Sequence, residues 1–259
     1  MSLALIAGAG RLPATLATAL TGRDWRAWHL EGFAPEGLAS TPFRVETLGR
    51  LIATLRADGV SEVCFAGRIA RPKLDPVALD AATLPLVPRM MRAIGQGDDA
   101  ALRTVIALFE EAGLIVVAPQ DLAPELLRVP EVGTPSDRDW ADIARARDVH
   151  AALAGLDVGQ GCVVAGGQVL AVEALPGTDW MLRSVADIEG RPDGGVLFKA
   201  AKAGQDRRID MATIGPDTVT RAAEAGLAGL AVAADDVLVL DADALRARLA
   251  ATGLFLAAV

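Results

Sequence analysis

The sequence predicts a two-domain α/β fold, with a parallel sheet in the first half and a distinct α+β second half. Three observations carry this reading. Short apolar runs alternate with stretches of helical spacing through the first 117 residues. Residues 118–139 then carry Pro119, Pro124, Pro130 and Pro135 with Gly133, so no long regular element fits there and a linker is expected. Beyond it, apolar runs come in pairs around short turns. The expected domains are residues 1–130 and 131–259, each of ordinary domain size.

Residues 3–7 are apolar and end at Gly8-Ala9-Gly10, and residues 12–20 have helical spacing. Residues 26–30 and 43–47 are short strands. Residues 48–58 are apolar at 48, 51, 52 and 55, the stripe of an amphipathic helix that stops at Gly59. Residues 62–66 (EVCFA) form a buried strand. A helix opens at Asp98 or Asp99 and ends at Gly113, and residues 114–117 are another buried strand. Strand-helix alternation of this kind makes parallel sheets covered on both faces. In the second half, residues 140–153 are helical, and the run CVVAGGQVLAVEA (162–174) is a hairpin around Gly166-Gly167. The run LAVAADDVLVL (230–240) repeats that design around Asp235-Asp236 and predicts a second hairpin.

Composition removes whole classes of function. Apolar residues are 52% of the 259 and charged residues 22%, too apolar for disorder. The net charge of −8 opposes nucleic acid and anionic lipid, so an anionic ligand must be held by local cations or a metal. The two histidines, His29 and His150, exclude a three-histidine zinc site and an HExxH helix. Cys64 and Cys162 lie far apart inside apolar runs and read as reduced core thiols. The first ten residues, MSLALIAGAG, read as a strand rather than a signal peptide, and no segment is suited to span a membrane. A cytoplasmic protein is expected.

A strand followed by GAG and a helix invites comparison with the dinucleotide-binding fingerprint, whose three glycines serve the tight turn, pyrophosphate approach and helix packing. Here Gly8 and Gly10 are present, but Pro13 stands at the third position. An ordinary strand-to-helix turn explains the loop equally well.

Five strings taken together say more: IAGAGRLP (6–13), CFAGRIARP (64–72), GQGDDAALR (95–103), GQGCVVAGGQVLAVEALPGTDWML (159–182) and KAAKAGQDRRIDMATIGPDTV (199–219). With them the chain resembles, over essentially its whole length, the UDP-2,3-diacylglucosamine pyrophosphatase family of lipid A biosynthesis, the type without metallophosphoesterase motifs. The resemblance implies a Rossmann-like N-terminal domain, a distinct C-terminal domain and substrate between them. It implies Mg2+-dependent cleavage of the diphosphate to UMP and 2,3-diacylglucosamine 1-phosphate, with attack on the sugar-side phosphorus. Where the family commonly reads DLPTIG, residues 210–215 read DMATIG, which keeps Asp210, Thr213 and Gly215.

Diphosphate hydrolysis requires charge neutralisation, an aimed water and a stabilised leaving phosphate. Magnesium meets the first need with oxygen ligands, which a histidine-poor acidic chain supplies. Asp210 falls on the family position implicated in activity and is by that resemblance the expected catalytic carboxylate and magnesium ligand; composition alone favours a helix-entry or turn carboxylate. Glu173, a charge at an apolar strand, and Asp179 are the expected second ligands of metal or water, Glu173 for the metal. Asp179 and Thr178 equally suit a helix start. The substrate-binding set is completed by Gly10, Arg11 and Leu12 toward UMP, by Gly67 and Arg68 after the strand 62–66, and by Asp98 and Asp99, which serve as plain first-turn acids in the alternative reading. Gln160, Gly161, Thr178, Lys199, Arg208, Thr213 and Gly215 join them from the second half. Lys199 stands out because it ends an apolar strand, whereas Arg71, Lys73, Lys202 and Arg207 read singly as surface charges.

Residues 84–94, with Met90 and Met91, suit either an acyl-chain groove or plain core. A diacyl substrate places the enzyme at the cytoplasmic face of the inner membrane, in peripheral contact through that substrate. Two other readings stay open at this point: a nicotinamide-dependent oxidoreductase, disfavoured by the broken third glycine and the absence of tyrosine, and a nucleotide-binding module without catalysis. The oligomeric state, a homodimer among the options, is open too.

Overall fold

The computed structural model describes every residue except Met1, residues 70–72, Asp157 and Ala203, and Asp98 by its backbone alone. Arg71 therefore lies outside the described residues. The chain divides into two compact units. Unit 1 comprises Met1–Pro124 and the short return Asp206–Asp210; unit 2 comprises Glu125–Gln205 and Met211–Val259.

Unit 1 holds β1 (Ser2–Ala7), α1 (Leu12–Ala19), β2 (Trp25–Leu30), β3 (Thr41–Phe43), α2 (Leu48–Ala57), β4 (Val60–Ala66), α3 (Val87–Ile94), α4 (Asp98–Glu111), β5 (Ile115–Val117) and the single turn α5 (Pro119–Leu122). Its five strands lie in the order β3-β2-β1-β4-β5, and every pairing is parallel. The central strand β1 is buried from Leu3 to Ala7, as expected of a strand covered on both faces. One face packs Ala4, Ile6, Val63 and Phe65 against Leu51, Leu55, Ile106 and Phe109, and Phe65 meets Phe109 edge to face with ring centres 5.2 Å apart. The strand order reverses direction between β1 and β4, the switch point at which open α/β sheets present a crevice for ligands.

Unit 2 holds α6 (Asp137–Leu153), β6 (Gly161–Ala165), β7 (Gln168–Val172), α7 (Thr178–Ala186), β8 (Val196–Lys199), β9 (Ala212–Ile214), α8 (Pro216–Glu224), β10 (Gly229–Val232), β11 (Val237–Val239), α9 (Ala242–Thr252) and β12 (Phe255–Ala258). Its main sheet runs β12-β10-β8-β6-β7. The first three strands are parallel, and the hairpin β6–β7 continues the sheet antiparallel. Strand alternation sorts the core: Val163, Leu197, Leu230 and Leu256 face α7, α8 and α9, whereas Cys162, Val164, Val196 and Phe198 face Ile143 and Ala146 of α6. The Gly166-Gly167 turn is clasped by the buried Asp142 carboxylate of α6, which accepts both backbone N–H groups at 3.0 and 2.7 Å.

The second expected hairpin does not form. β10 stays in the main sheet, while β11 leaves it and pairs in parallel with β9 as a separate two-stranded ribbon. Both runs are buried at every position, the mark of strands covered on both sides; a one-face hairpin alternates. The expected strand 43–47 also divides: β3 ends at Phe43, and Val45–Thr47 make a 3-10 turn that buries Glu46.

Glu46 accepts the Asp75 N–H at 2.8 Å and the Arg44 Nε–H at 3.2 Å. The Asp75 bond, then the Arg44 guanidinium, hold its carboxyl below the ordinary range against the opposing effect of burial. A depressed folded-state pKa contributes stability that is present above the unfolded-state value and is lost as pH falls through the folded-state value. Wild type is therefore expected to exceed Glu46→Gln in stability at about pH 7, with a smaller gap at about pH 3, below the ordinary carboxylate range. Chemical denaturation at the two pH values checks this; a gap independent of pH contradicts it.

Candidate functional site

At the switch point of unit 1 the loops after β1 and β4 are joined backbone to backbone. Gly8 N–H donates to Ala66 O at 2.7 Å, Ala9 N–H to Arg68 O at 2.8 Å and Arg68 N–H to Ala9 O at 2.9 Å. A Cβ on Gly8 would lie 2.6 Å from Arg68 O, and one on Gly67 (φ +93°) 2.6 Å from Gly8 O. The glycines are thus required by loop-to-loop contact. The amides of Gly8 and Ala9 are occupied by this contact, a departure from loops whose first amides receive a pyrophosphate. Gly10 has φ +99° with open space around its missing side chain; Arg11 precedes α1, which opens at Leu12. The Arg68 side chain is exposed.

The return segment Asp206–Asp210 is fixed to unit 1. Arg208 donates in bidentate fashion to Asp206, at 2.9 and 2.7 Å, and to Glu110 of α4 at 2.7 Å. The bonds from Arg208 hold the Asp206 carboxyl low, and Asp206 and Glu110 raise the guanidinium. Gln120 donates to Arg207 O at 3.1 Å, and Ile209 packs on the unit 1 core. Asp210, half-buried, ends the segment with its N–H on Asp206 O at 3.4 Å. The guanidinium of Arg208 is thereby engaged by two carboxylates.

Unit 2 gathers a buried polar network where β8 ends. Lys199 is 4% exposed and Glu173 9%. Lys199 Nζ donates to Thr178 Oγ1 at 2.7 Å, reaches Thr213 O of β9 at 3.5 Å, and lies 3.5 Å from Glu173 Oε2. Thr178 Oγ1 in turn donates to Glu173 Oε1 at 2.9 Å. Glu173 Oε2 is buried and accepts no hydrogen bond among the described residues. Backbone makes room for the network: a Cβ on Gly159 would lie 2.0 Å from Glu173 O, and one on Gly161 2.8 Å from Phe198 O and 3.1 Å from Glu173 Oε2. Gln160 is tied beside it, its carbonyl accepting from Ala200 N–H at 3.0 Å and its Nε2 donating to Gln205 Oε1 at 3.2 Å.

So five residues named from the sequence, Gly161, Glu173, Thr178, Lys199 and Thr213, meet in one network. Asp179 stands exposed on the first turn of α7, where a carboxylate favours the helix dipole. Gly215 begins α8 in extended backbone. Asp99 accepts from Arg103 of the same helix at 2.6 Å, an i,i+4 pair, and the Asp98 side chain lies outside the described residues. Met90 is core, whereas Met91 is exposed.

Sequence reasoning gave His150 no role. Its ring packs edge-on to Phe198; burial lowers its pKa, and its Nε2 is buried without a hydrogen-bond partner among the described residues. Its position on α6 gives no sequence signal of this. Burial raises both thiols, Cys162 to about 12, as expected of inert core cysteines.

Among the described residues no three His, Cys, Asp or Glu side chains gather into a metal-binding group. No protein-built cage for magnesium follows from them. One open, buried carboxylate oxygen beside a lysine instead fits an ion carried chiefly by phosphate oxygens and waters, to which the protein adds one or two carboxylates.

Fold and site define a two-unit α/β protein, with a parallel sheet that ends at a switch point in unit 1 and a mixed sheet that ends at a buried lysine–glutamate pair in unit 2. Comparison gives the family. The LpxI N-terminal domain model matches residues 2–126 and the LpxI C-terminal domain model residues 129–257. The chain is 41% identical over 272 aligned positions to the UDP-2,3-diacylglucosamine pyrophosphatase LpxI of Caulobacter vibrioides, covering 99% of this chain and 97% of that protein. The chain belongs to the LpxI family.

Removing one member of a buried ion pair leaves a charge without compensation, at a cost of about 3–5 kcal/mol, whereas removing both costs much less. Lys199→Met is expected to lower the protection of β6 and β8 amides against hydrogen exchange accordingly, and Lys199→Met with Glu173→Leu to recover most of it. Equal loss in the single and double variants contradicts the pairing.

Proposed function

We propose that this protein hydrolyses the diphosphate of UDP-2,3-diacylglucosamine with magnesium, yielding UMP and 2,3-diacylglucosamine 1-phosphate for lipid A biosynthesis. The activity of the 41%-identical Caulobacter relative, matched nearly end to end, supports the substrate. The observation that carries the chemistry is the buried network of Lys199, Thr178 and Glu173, with one carboxylate oxygen left open. A protein of net charge −8 does not bury a lysine beside a glutamate for solubility; the pair gives a fixed positive charge for a phosphate and a fixed acceptor for water or metal.

In this reading one bridging P–O bond breaks, water adds to one phosphorus, and two phosphate monoesters leave. Lys199 and Thr178 bind phosphate oxygens. Glu173 would hold the magnesium, which when bound neutralises charge on the diphosphate. Asp210 orients the attacking water, and Asp179 is a second carboxylate for that task. Gly10, Arg11, Leu12, Gly67 and Arg68 attend the nucleotide at the unit 1 switch point. The lipid product sets the place of work at the cytoplasmic face of the inner membrane, reached without a spanning helix: no helix among the described residues is long and apolar enough to cross a bilayer.

Purified protein with UDP-2,3-diacylglucosamine and Mg2+ is expected to release UMP and the sugar 1-phosphate, followed by phosphorus NMR, and EDTA to stop the release. Asp210→Asn is expected to lower kcat about a hundredfold or more with the fold intact. No UMP above a blank defeats the proposal, and a near-fully active Asp210→Asn defeats the role given to Asp210.

A further inference from the structure

The excursion between β4 and α4 is built inside out. Its polar groups turn toward the body of unit 1 and fix the backbone: Thr83, fully buried, accepts the Gly49 N–H on Oγ1 at 2.9 Å. Asp80 accepts the Thr83 N–H at 2.7 Å and donates its own N–H to Glu46 O at 3.1 Å. Asp75 N–H is held by the buried Glu46 carboxylate at 2.8 Å. The contact is close, since a Cβ on Gly49 would lie 2.4 Å from the Ala82 backbone. Outward, the pattern reverses. From Pro76 to Met91 the residues most open to solvent are apolar: Val77 is 94% exposed, Leu84 59% and Met91 53%, with prolines and alanines between them, while the one charged side chain turned outward, Arg89, is paired with Glu111 of α4 at 2.7 Å. Exposed cations, Lys73 and Arg92, stand at the two ends of the run, and the exposed Asp75 beside Lys73 is turned back on the chain, accepting the Val77 N–H at 3.0 Å.

A rigidly anchored segment that shows apolar residues to solvent is a surface to be covered. We propose that residues 76–91 dock unit 1 on a lipid bilayer, with Val77, Leu84 and Met91 entering the headgroup–acyl boundary and Lys73 and Arg92 meeting lipid phosphates. The occupant follows from charge: in a chain of net charge −8, cations flank this apolar run at both ends, the arrangement of an interfacial segment. The choice of bilayer rests on the glycolipid-substrate reading above, because such a substrate resides in a membrane. It goes further in making the protein itself the point of contact, with or without substrate.

Flotation with vesicles of phosphatidylethanolamine and phosphatidylglycerol, in the absence of substrate, tests this with the full chain. Wild type is expected to float, and Val77→Asp with Leu84→Asp and Met91→Asp to lose about tenfold or more of that binding, as charges at interfacial positions do. A parallel assay with detergent-dispersed substrate is expected to leave kcat of the triple variant unchanged, which separates this proposal from the activity: absence of turnover in wild type defeats the glycolipid reading, whereas turnover without flotation defeats only the docking surface. In Val77→Trp, brominated lipid is expected to quench fluorescence beyond the wild-type level; no added quenching overturns the proposal. So does a triple variant that floats like wild type, or one that turns a dimeric wild type monomeric without changing flotation.

Discussion

The arrangement of unit 2 turns on one buried ion pair. Lys199 and Glu173 are both almost out of contact with water, and neither charge is stable there alone. Thr178 stands between them, accepting from one and donating to the other, so that the pair is held at 3.5 Å instead of closing. That spacing leaves Glu173 Oε2 without a hydrogen bond. The local sequence serves this geometry: Gly159 and Gly161 let backbone pass against both residues, and the hairpin β6–β7 carries Glu173 out of the sheet at the end where β8 delivers Lys199. In the proposed function Glu173 Oε2 is the acceptor offered to metal or water.

Unit 1 solves a different problem. Its first loop has two of the glycines associated with dinucleotide binding, yet they serve contact with the loop after β4. The two loops at the switch point are thereby locked into one surface. The return of Asp206–Asp210 onto α4 through Arg208 adds a third piece of chain to this unit and fixes where Asp210 begins.

Much of this was legible in the sequence where the physics is local. Alternating apolar runs located the parallel strands of unit 1, and Gly166-Gly167 located the hairpin, because period and turn chemistry act over a few residues. Glu173 and Lys199 were visible as charges placed at the ends of apolar runs, although their partnership across 26 positions was not. The Asp235-Asp236 turn misled, since a buried run on each side of a turn does not say which sheet each strand joins. The inward turn of Glu46, Asp80 and Thr83, and with it the outward apolar run from Pro76 to Met91, depends on contacts between distant segments. So does the return of Asp206–Asp210, for which no local pattern exists. The assignment of Asp210 came from resemblance, not from its own surroundings.

The central claim is that the Lys199–Glu173 network receives phosphate. A crystal structure with a non-hydrolysable analogue of UDP-2,3-diacylglucosamine tests it most directly. The account predicts a phosphate oxygen at about 3 Å from Lys199 Nζ, with Thr178 Oγ1 within reach of the same group. A diphosphate bound elsewhere, with Lys199 still engaged only by Thr178, Thr213 and Glu173, would contradict it.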